Sequence, residues 1–441
     1  MGLQIIKTGD PVSDPAVRAL RDRLRAGRAG RGGEPDVPAA VAEVIADVGA
    51  RGDQAVIDLT ARIEKVSLTP ERLRVEAGAI GTARAAAEPA FLELIRRAAA
   101  NVRQYQEAIL HADPPPLARG GRRLGLRYRP VDRAGVFVPG GSGSGAALVS
   151  SLVMTVVPAQ VAGVGEIALV SPPTSEGEVS GAVLAAAGEL GVDEVYRVSG
   201  TAGVAALALG TGSIPRVDMI VGPGNAFIAE AKRQLFGVVG IDAVAGPSEV
   251  LIIADETADA SWVAADLLAQ AEHDPGSGLL VTPSEALARA AAEAVERELP
   301  RLQRAEAIRR ALAESCAAIV VPDLPAACAA ANDFAAEHLQ IITGDDDAVL
   351  AKVRHAGAIF VGPHTPVPLG DYYAGPSHVL PTGGTARFSG PLSANDFLKA
   401  SSVVRYDAAA LGADAADVAD FARREGLDAH ARAIEIRRRG K

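Results

Sequence analysis

Thiols are nearly missing from this chain of 441 residues, which holds two cysteines, Cys316 and Cys328. Two cysteines build neither a disulfide framework nor a paired CxxC zinc module, and both sit in Ala-rich surroundings that read as core filler. Positive charge is in deficit: 44 Lys and Arg stand against 54 Asp and Glu, a net charge of −10. Nucleic acid and anionic membranes need clustered cations, so neither is an expected partner. No uninterrupted apolar run reaches the ~20 residues that span a bilayer. The opening MGLQIIKTGDPVSDP has no apolar signal core, and MGLQII lacks the Ser or Thr of a myristoylation signal, so a cytoplasmic location is expected. Histidine is scarce as well, at seven residues, which makes the placement of each one the main question.

What is present is ordinary globular material, 49% hydrophobic and 22% charged. Length alone suggests about three domains, or two large ones with appendages. Apolar positions recur at helical spacing through 12–110, in VAEVIADVGARGDQAVIDLTARI and FLELIRRAAANVRQYQEAIL. A basic, Gly/Pro-rich stretch, PPPLARGGRRLGLRYRPVDRAG, reads as a boundary. Short β-prone runs then alternate with helical ones. GVFV (135–138), EIALV (166–170), EVYRV (194–198) and DMIVG (218–222) form one set of strands. VLIIAD (250–255), GLLVT (278–282), AAIVV (317–321), LQIIT (339–343) and GAIFVG (357–362) form a second. Such alternation predicts parallel sheets with right-handed crossovers. The expected class is α/β: two tandem, incomplete Rossmann-like α/β/α units over 126–244 and 245–379. A helical region, 1–125, is expected to pack on the first unit. The tail, 380–441, is too short for its own domain and is expected to dock on the body or on a partner subunit.

Several polar motifs interrupt this pattern. PGGSGSGA (139–146) sets Gly141, Gly143 and Ala146 near the spacing of a dinucleotide turn, but no acidic residue sits about 20 positions on at the end of a second strand, as a ribose contact requires. A plain Gly loop at a cleft reads as well. Asn225 in GPGNAF is either a helix N-cap or an amide grip on a ligand at a strand's carboxyl end. Ser248 in AGPSEV precedes a buried strand. In LLAQAEHD, Gln270 and His273 are three apart on a helix and share a face, which is either surface or two ligands of one metal ion. Glu337 and His338 close a helix just before a strand; the helix dipole explains the imidazole, and so does an acid/base pair where the backbone turns. Asp371 and His378 lie in the long polar stretch GDYYAGPSHVLPTGGTARFSG (370–390), and long ordered loops are commonly functional. Glu425 and His430 lie in REGLDAHARA; taken singly, each is a solvated helix residue.

Taken together, VFVPGG, GPGNAFIAEAKRQL, GPSEVLIIAD, LLAQAEHDP, NDFAAEHLQI, GDYYAGPSHVLPTGGTARFSGPLS and EGLDAHARAI resemble the histidinol dehydrogenase family in order and spacing, over nearly the whole chain. That resemblance implies oxidation of L-histidinol through L-histidinal to L-histidine, with two NAD reduced and one water consumed. It implies a homodimer with shared active sites and one Zn2+ in each. The implied zinc ligands are Gln270, His273, Asp371 and His430, the last reaching across from the tail to the partner subunit's active site. Glu337 and His338 match the catalytic pair. Ser248, His378 and Glu425 match substrate-holding positions, which the family shares with the zinc ligands and His338. By the same resemblance 126–244 is the cofactor side and 245–379 the metal and catalytic side.

Two implied cofactor positions depart from the family pattern. Phe137 stands where Tyr is usual, and Ala202, in SGTA, where Gln is usual; Asn225 is retained. Two lost hydrogen bonds are worth about 0.5–1.5 kcal/mol each. A relative acting on another small alcohol, such as a sulfonated diol, and a binding protein that has lost NAD affinity are the competing expectations.

Overall fold

The computed structural model describes residues 3–26, 36–139, 148–273 and 276–438. Its strands, in chain order, are β1 (Gln4–Lys7), β2 (Leu117–Arg119), β3 (Arg122–Pro130), β4 (Arg133–Phe137), β5 (Glu166–Ser171), β6 (Glu194–Arg197) and β7 (Met219–Val221). They continue as β8 (Gly240–Ile241), β9 (Ser248–Ala254), β10 (Gly276–Thr282), β11 (Ala317–Val320), β12 (His338–Ile342), β13 (Ala358–Val361) and β14 (Leu398–Tyr406). Two parallel sheets are wound alike: β6-β5-β4-β7-β8 and β1-β11-β10-β9-β12-β13. With β1 set aside, each reads 3-2-1-4-5 in order of appearance, the winding of an open nucleotide-binding sheet.

Side-chain alternation divides each sheet between two cores. Val136, Leu169, Val195 and Val221 enter the core on one face of the first sheet. Phe137, Val170, Tyr196 and Ile220 enter that on the other. In the second sheet Val250, Ile252, Leu280 and Ile342 share one core, while Leu251, Ile253, Leu279 and Ile341 share the opposite one. Helices cover all four faces, as the α/β reading requires.

The amino-terminal region divides differently from expectation. Val41, Val48 and Val56 pack on the first unit, with Ile80, Ile95 and Val102 on its other face. β1, however, pairs in parallel with β11, Gln4 opposite Ala317. The Pro15–Ala26 helix follows it, placing Val17 and Leu20 in the second unit's core and Arg21 against Asp333. A four-residue strand whose partner lies some three hundred positions on carries no local signal of its allegiance.

The stretch read as a boundary and the stretch read as tail meet in a third sheet, β14-β3-β2, which is antiparallel. β3 and β14 pair over nine residues, from Pro130 opposite Leu398 to Arg122 opposite Tyr406. All of β14 after Leu398 is exposed. Two helices, Ala408–Arg424 and Asp428–Arg438, then fold on each other over Ala419, Ala422 and Ala431, tied to β3 through Arg122 and Asp414. Among the described residues no helix is long and apolar enough to cross a membrane.

Candidate active site

The amino ends of β9 and β12 lie side by side, His338 opposite Val250. Ser248 and Glu249 therefore face Glu337 and His338. The Leu324–Phe334 helix stops at Ala335, whose left-handed φ of 51° turns the backbone out of the helix. That turn lets Glu337 and His338 point into one site. Ser248 Oγ donates to Glu337 Oε2 at 2.7 Å, and Gln270 Nε2 donates to Ser248 Oγ at 2.7 Å. Asp371, on the Val367–Tyr372 helix, brings Oδ1 to 3.5 Å from His338 Nε2. Phe360 closes one side of the imidazole, with ring centroids 5.9 Å apart.

Gln270 and His273 are not on one helical face. The helix ends at Ala271, Glu272 caps it, and His273 lies beyond, its N–H reaching the Gln270 carbonyl at 3.3 Å. Gln270 is buried and His273 exposed. β10 begins at Gly276, where only glycine fits, since a Cβ there would sit 2.2 Å from the Gln270 carbonyl oxygen. His273 nonetheless bears electrostatically on Asp371 and His378.

Carbonyl oxygens only accept, which fixes the ring protons. His338 Nδ1 meets the Glu249 carbonyl at 3.1 Å, so Nδ1 carries the hydrogen and Nε2 is the reactive lone pair of the neutral ring. Nε2 is buried and makes no hydrogen bond among the described residues. His378 Nδ1 likewise donates to the Asp371 carbonyl at 2.7 Å, and Ser151 Oγ lies 3.1 Å from its Nε2. Both nitrogens of His378 are thus engaged inside the protein, and this ring supports Asp371 from behind.

Burial opposes a charged His338, but the Glu337 and Asp371 carboxylates outweigh it and push the imidazole up to about 9. Burial raises Glu337. Glu249 rises to about 7, from burial and then from Glu337 beside it. Asp371 is buried, which opposes ionisation, yet its contact with the His338 imidazole brings it below the usual range. Burial lowers His378. The centre is an imidazole held between carboxylates in a site with little water.

The positions expected to meet the cofactor lie at the opposite edge of the other sheet. Phe137 ends β4 and is buried; Ala202 is buried in the Gly200–Leu209 helix. Asn225 caps the Ala226–Leu235 helix, its Oδ1 accepting from Phe227 and Ile228. Thr201, Ala202, Phe227, Leu59 and Arg62 line a cavity of about 460 Å³. Gly222, at φ 124°, lets β7 leave past the Phe137 carbonyl, which a Cβ would approach to 2.1 Å. The Gly-rich turn containing Gly141, Gly143 and Ala146 lies outside the described residues.

Glu425 and His430 are exposed on the terminal helical pair. Among the described residues no hydrogen bond or ion pair joins them to Asp371 or His338, and those of one chain gather no metal-ready cluster of three His, Cys, Asp or Glu. The structure adds residues that the motifs did not flag: Glu249, Ser151, and the Asp266–Gln340 contact beneath His338, 2.7 Å between Oδ2 and Nε2. A charge at the second position of the apolar run SEVLIIA was the signal for Glu249.

A doubled, parallel α/β core with a buried imidazole between carboxylates defines an α/β enzyme with an acid–base centre at a sheet edge. The chain belongs to the histidinol dehydrogenase family, whose model matches residues 29–438. It is 49% identical over 401 residues to the histidinol dehydrogenase of Rhodopirellula baltica, covering 91% of this chain and 86% of that protein. The Geobacillus kaustophilus histidinol dehydrogenase is 47% identical, covering 94% and 98%. The crystal structure of histidinol dehydrogenase from Elizabethkingia anophelis superposes with a TM-score of 0.90 at 30% identity, covering 99% of this chain and 98% of that one.

Proposed function

We propose that this chain, an NAD-dependent oxidoreductase by family, converts L-histidinol through L-histidinal to L-histidine at a site completed by a second copy. The observation that carries the reading is the unbroken chain Gln270–Ser248–Glu337, with His338 and Asp371 alongside. For each L-histidinol, two NAD are reduced, one water is consumed and three protons are released. His338 Nε2 takes the hydroxyl proton in the first oxidation, its ring held by the Glu249 carbonyl. Glu337 removes a proton from the water that hydrates the aldehyde, and His338, after passing its first proton to solvent, accepts the proton of the second oxidation. Ser248 orients Glu337 and presents its hydroxyl to the substrate. Site closure keeps the aldehyde from escaping between steps.

The donors present fit zinc. Gln270, Asp371 and His273 supply oxygen and nitrogen with no thiolate, and Gln270, whose Nε2 donates to Ser248, has its carbonyl oxygen as the atom able to ligate. His430 would come from a second copy, which accounts for its exposure here. The metal would fix the amine and imidazole of the substrate, a templating role. NAD, held on the Phe137, Ala202 and Asn225 edge, would accept hydride.

The departures at Phe137 and Ala202 fall on the cofactor edge, while Ser248, Gln270, Glu337, His338 and Asp371 are all present. This distribution favours histidinol over another alcohol. The deciding measurement is NADH formation by zinc-loaded protein with L-histidinol and with a panel of small alcohols, including a sulfonated diol. Two NADH per histidinol is the expected result. Faster turnover of another alcohol, or none of histidinol at saturating NAD, defeats the proposal.

A further inference from the structure

Glu249 is buried at 7% exposure and has no part in the proton transfers above. Its contacts nevertheless centre on the two groups that do. The Glu249 N–H donates to Glu337 Oε2 at 2.9 Å, and the Glu337 N–H donates back to Glu249 Oε1 at 3.3 Å. The Gly383 N–H reaches the same Oε1 at 2.8 Å. The Glu249 carbonyl, meanwhile, accepts from His338 Nδ1. A buried carboxyl group is costly unless its oxygens are used. Here one oxygen gathers two backbone N–H groups from segments far apart in sequence: the start of β12, and the loop that follows Asp371 and His378. Beside that loop, Thr382 Oγ1 accepts from the Gly246 N–H, so the tie sits where β9, β12 and the loop converge. The carboxyl of Glu249 titrates near neutrality, and both of its forms retain an acceptor oxygen.

We propose that Glu249 is a positioning residue of the active site, its side-chain oxygen holding the Glu337 backbone and the Gly383 loop in catalytic register. The inference rests on the function proposed above. It follows that the acceptor oxygen matters and the charge does not. A displacement of about 1 Å at a reacting group is enough to cost ~100-fold in rate, and that is the scale expected when the tie is cut.

The test compares Glu249→Met, which keeps the length without an acceptor, with Glu249→Gln, which keeps both. Kinetics are measured on the zinc-loaded full chain with L-histidinol and NAD. Glu249→Met is expected to lose kcat by about 100-fold with KM for histidinol little changed, and Glu249→Gln to restore most of kcat. A Met variant with wild-type kcat overturns the proposal. So does a folded Gln variant as impaired as the Met variant, since charge would then be the agent. If the Met variant does not fold, Glu249→Asp takes its place. It keeps the charge and withdraws the oxygen by one methylene, so kcat must fall at unchanged KM, and wild-type kcat again overturns the proposal. Wild-type protein that fails to oxidise histidinol defeats the proposed function instead, so the two failures are distinguishable.

Discussion

Asp266 sits one helical turn before Gln270, on the side of the Ala260–Ala271 helix that meets β12. Its carboxylate accepts from Gln340 Nε2, while Gln340 Oε1 is buried without a partner among the described residues. Burial pushes the acid up to about 6. The neutral acid satisfies both groups at once, donating O–H to Oε1 while accepting from Nε2. Because the folded-state pKa is raised, the unfolded chain releases this proton first as pH rises. Stability is therefore lost between about pH 4 and pH 6, and the ionised group then costs the fold about 2–3 kcal/mol. Asp266→Asn should raise the melting temperature at pH 8 and leave it nearly unchanged at pH 4; an equal shift at both would show that the carboxyl is not the source. Residue spacing singled out Gln270 and His338 but not this contact. The charge on a helix and the amide on a strand meet only through the crossover between them. Spacing also placed His273 on the Gln270 face, whereas the helix ends two residues earlier, at Ala271, and the chain returns past the Gln270 carbonyl at Gly276.

At the scale of elements, the Ala226–Leu235 helix is locked to the carboxyl ends of β7 and β8 by a fully buried ion pair. Lys232 Nζ contacts Asp242 and donates to the Gly222 carbonyl at 2.7 Å, while Asp242 Oδ2 accepts from the Gly222 N–H at 2.8 Å. Both side chains are almost without exposure, at 2% and 1%. Removing one partner strands a buried charge. Lys232→Met is expected to cost about 3–5 kcal/mol in denaturant unfolding, with Lys232→Met/Asp242→Asn recovering part of it. A single variant within about 0.5 kcal/mol of wild type, the range of an ordinary surface change, would mean that water reaches the pair. The nine short β-prone runs after residue 130 were legible because a strand buried on both faces reads as an apolar run. β2, β3 and β14 were not. β2 and β14 are exposed and β3 is basic and half-exposed, and Arg122 to Arg129 looks like a solvated boundary until its partner, 270 or more positions later, is known.

For the whole molecule, the exposed third sheet and the helical pair beyond it set Glu425 and His430 apart from the site they are expected to serve. If a second copy brings them there, mixed dimers should show it. Subunits carrying His430→Ala and subunits carrying His338→Ala, each inactive alone, should recover activity after verified exchange, because one of the two sites then holds both intact residues. Continued inactivity would place His430 in its own subunit's site. The tail's allegiance could be read only from family resemblance, since no local pattern encodes a contact with another chain. The two sheets, finally, are wound alike but used at opposite ends. Phe137 and Asn225 lie at the carboxyl edge of the first, whereas Ser248, Glu337 and His338 lie at the amino edge of the second. At the second sheet's carboxyl edge Asp255 accepts from Thr257 and from the Gly344 N–H at 2.9 Å, away from the acid–base centre. To an engineer this is a spare socket. A loop grafted beyond Asp255 would be separated from His338 by the length of β12, so a new binding function could be installed there without disturbing the chemistry at the far end.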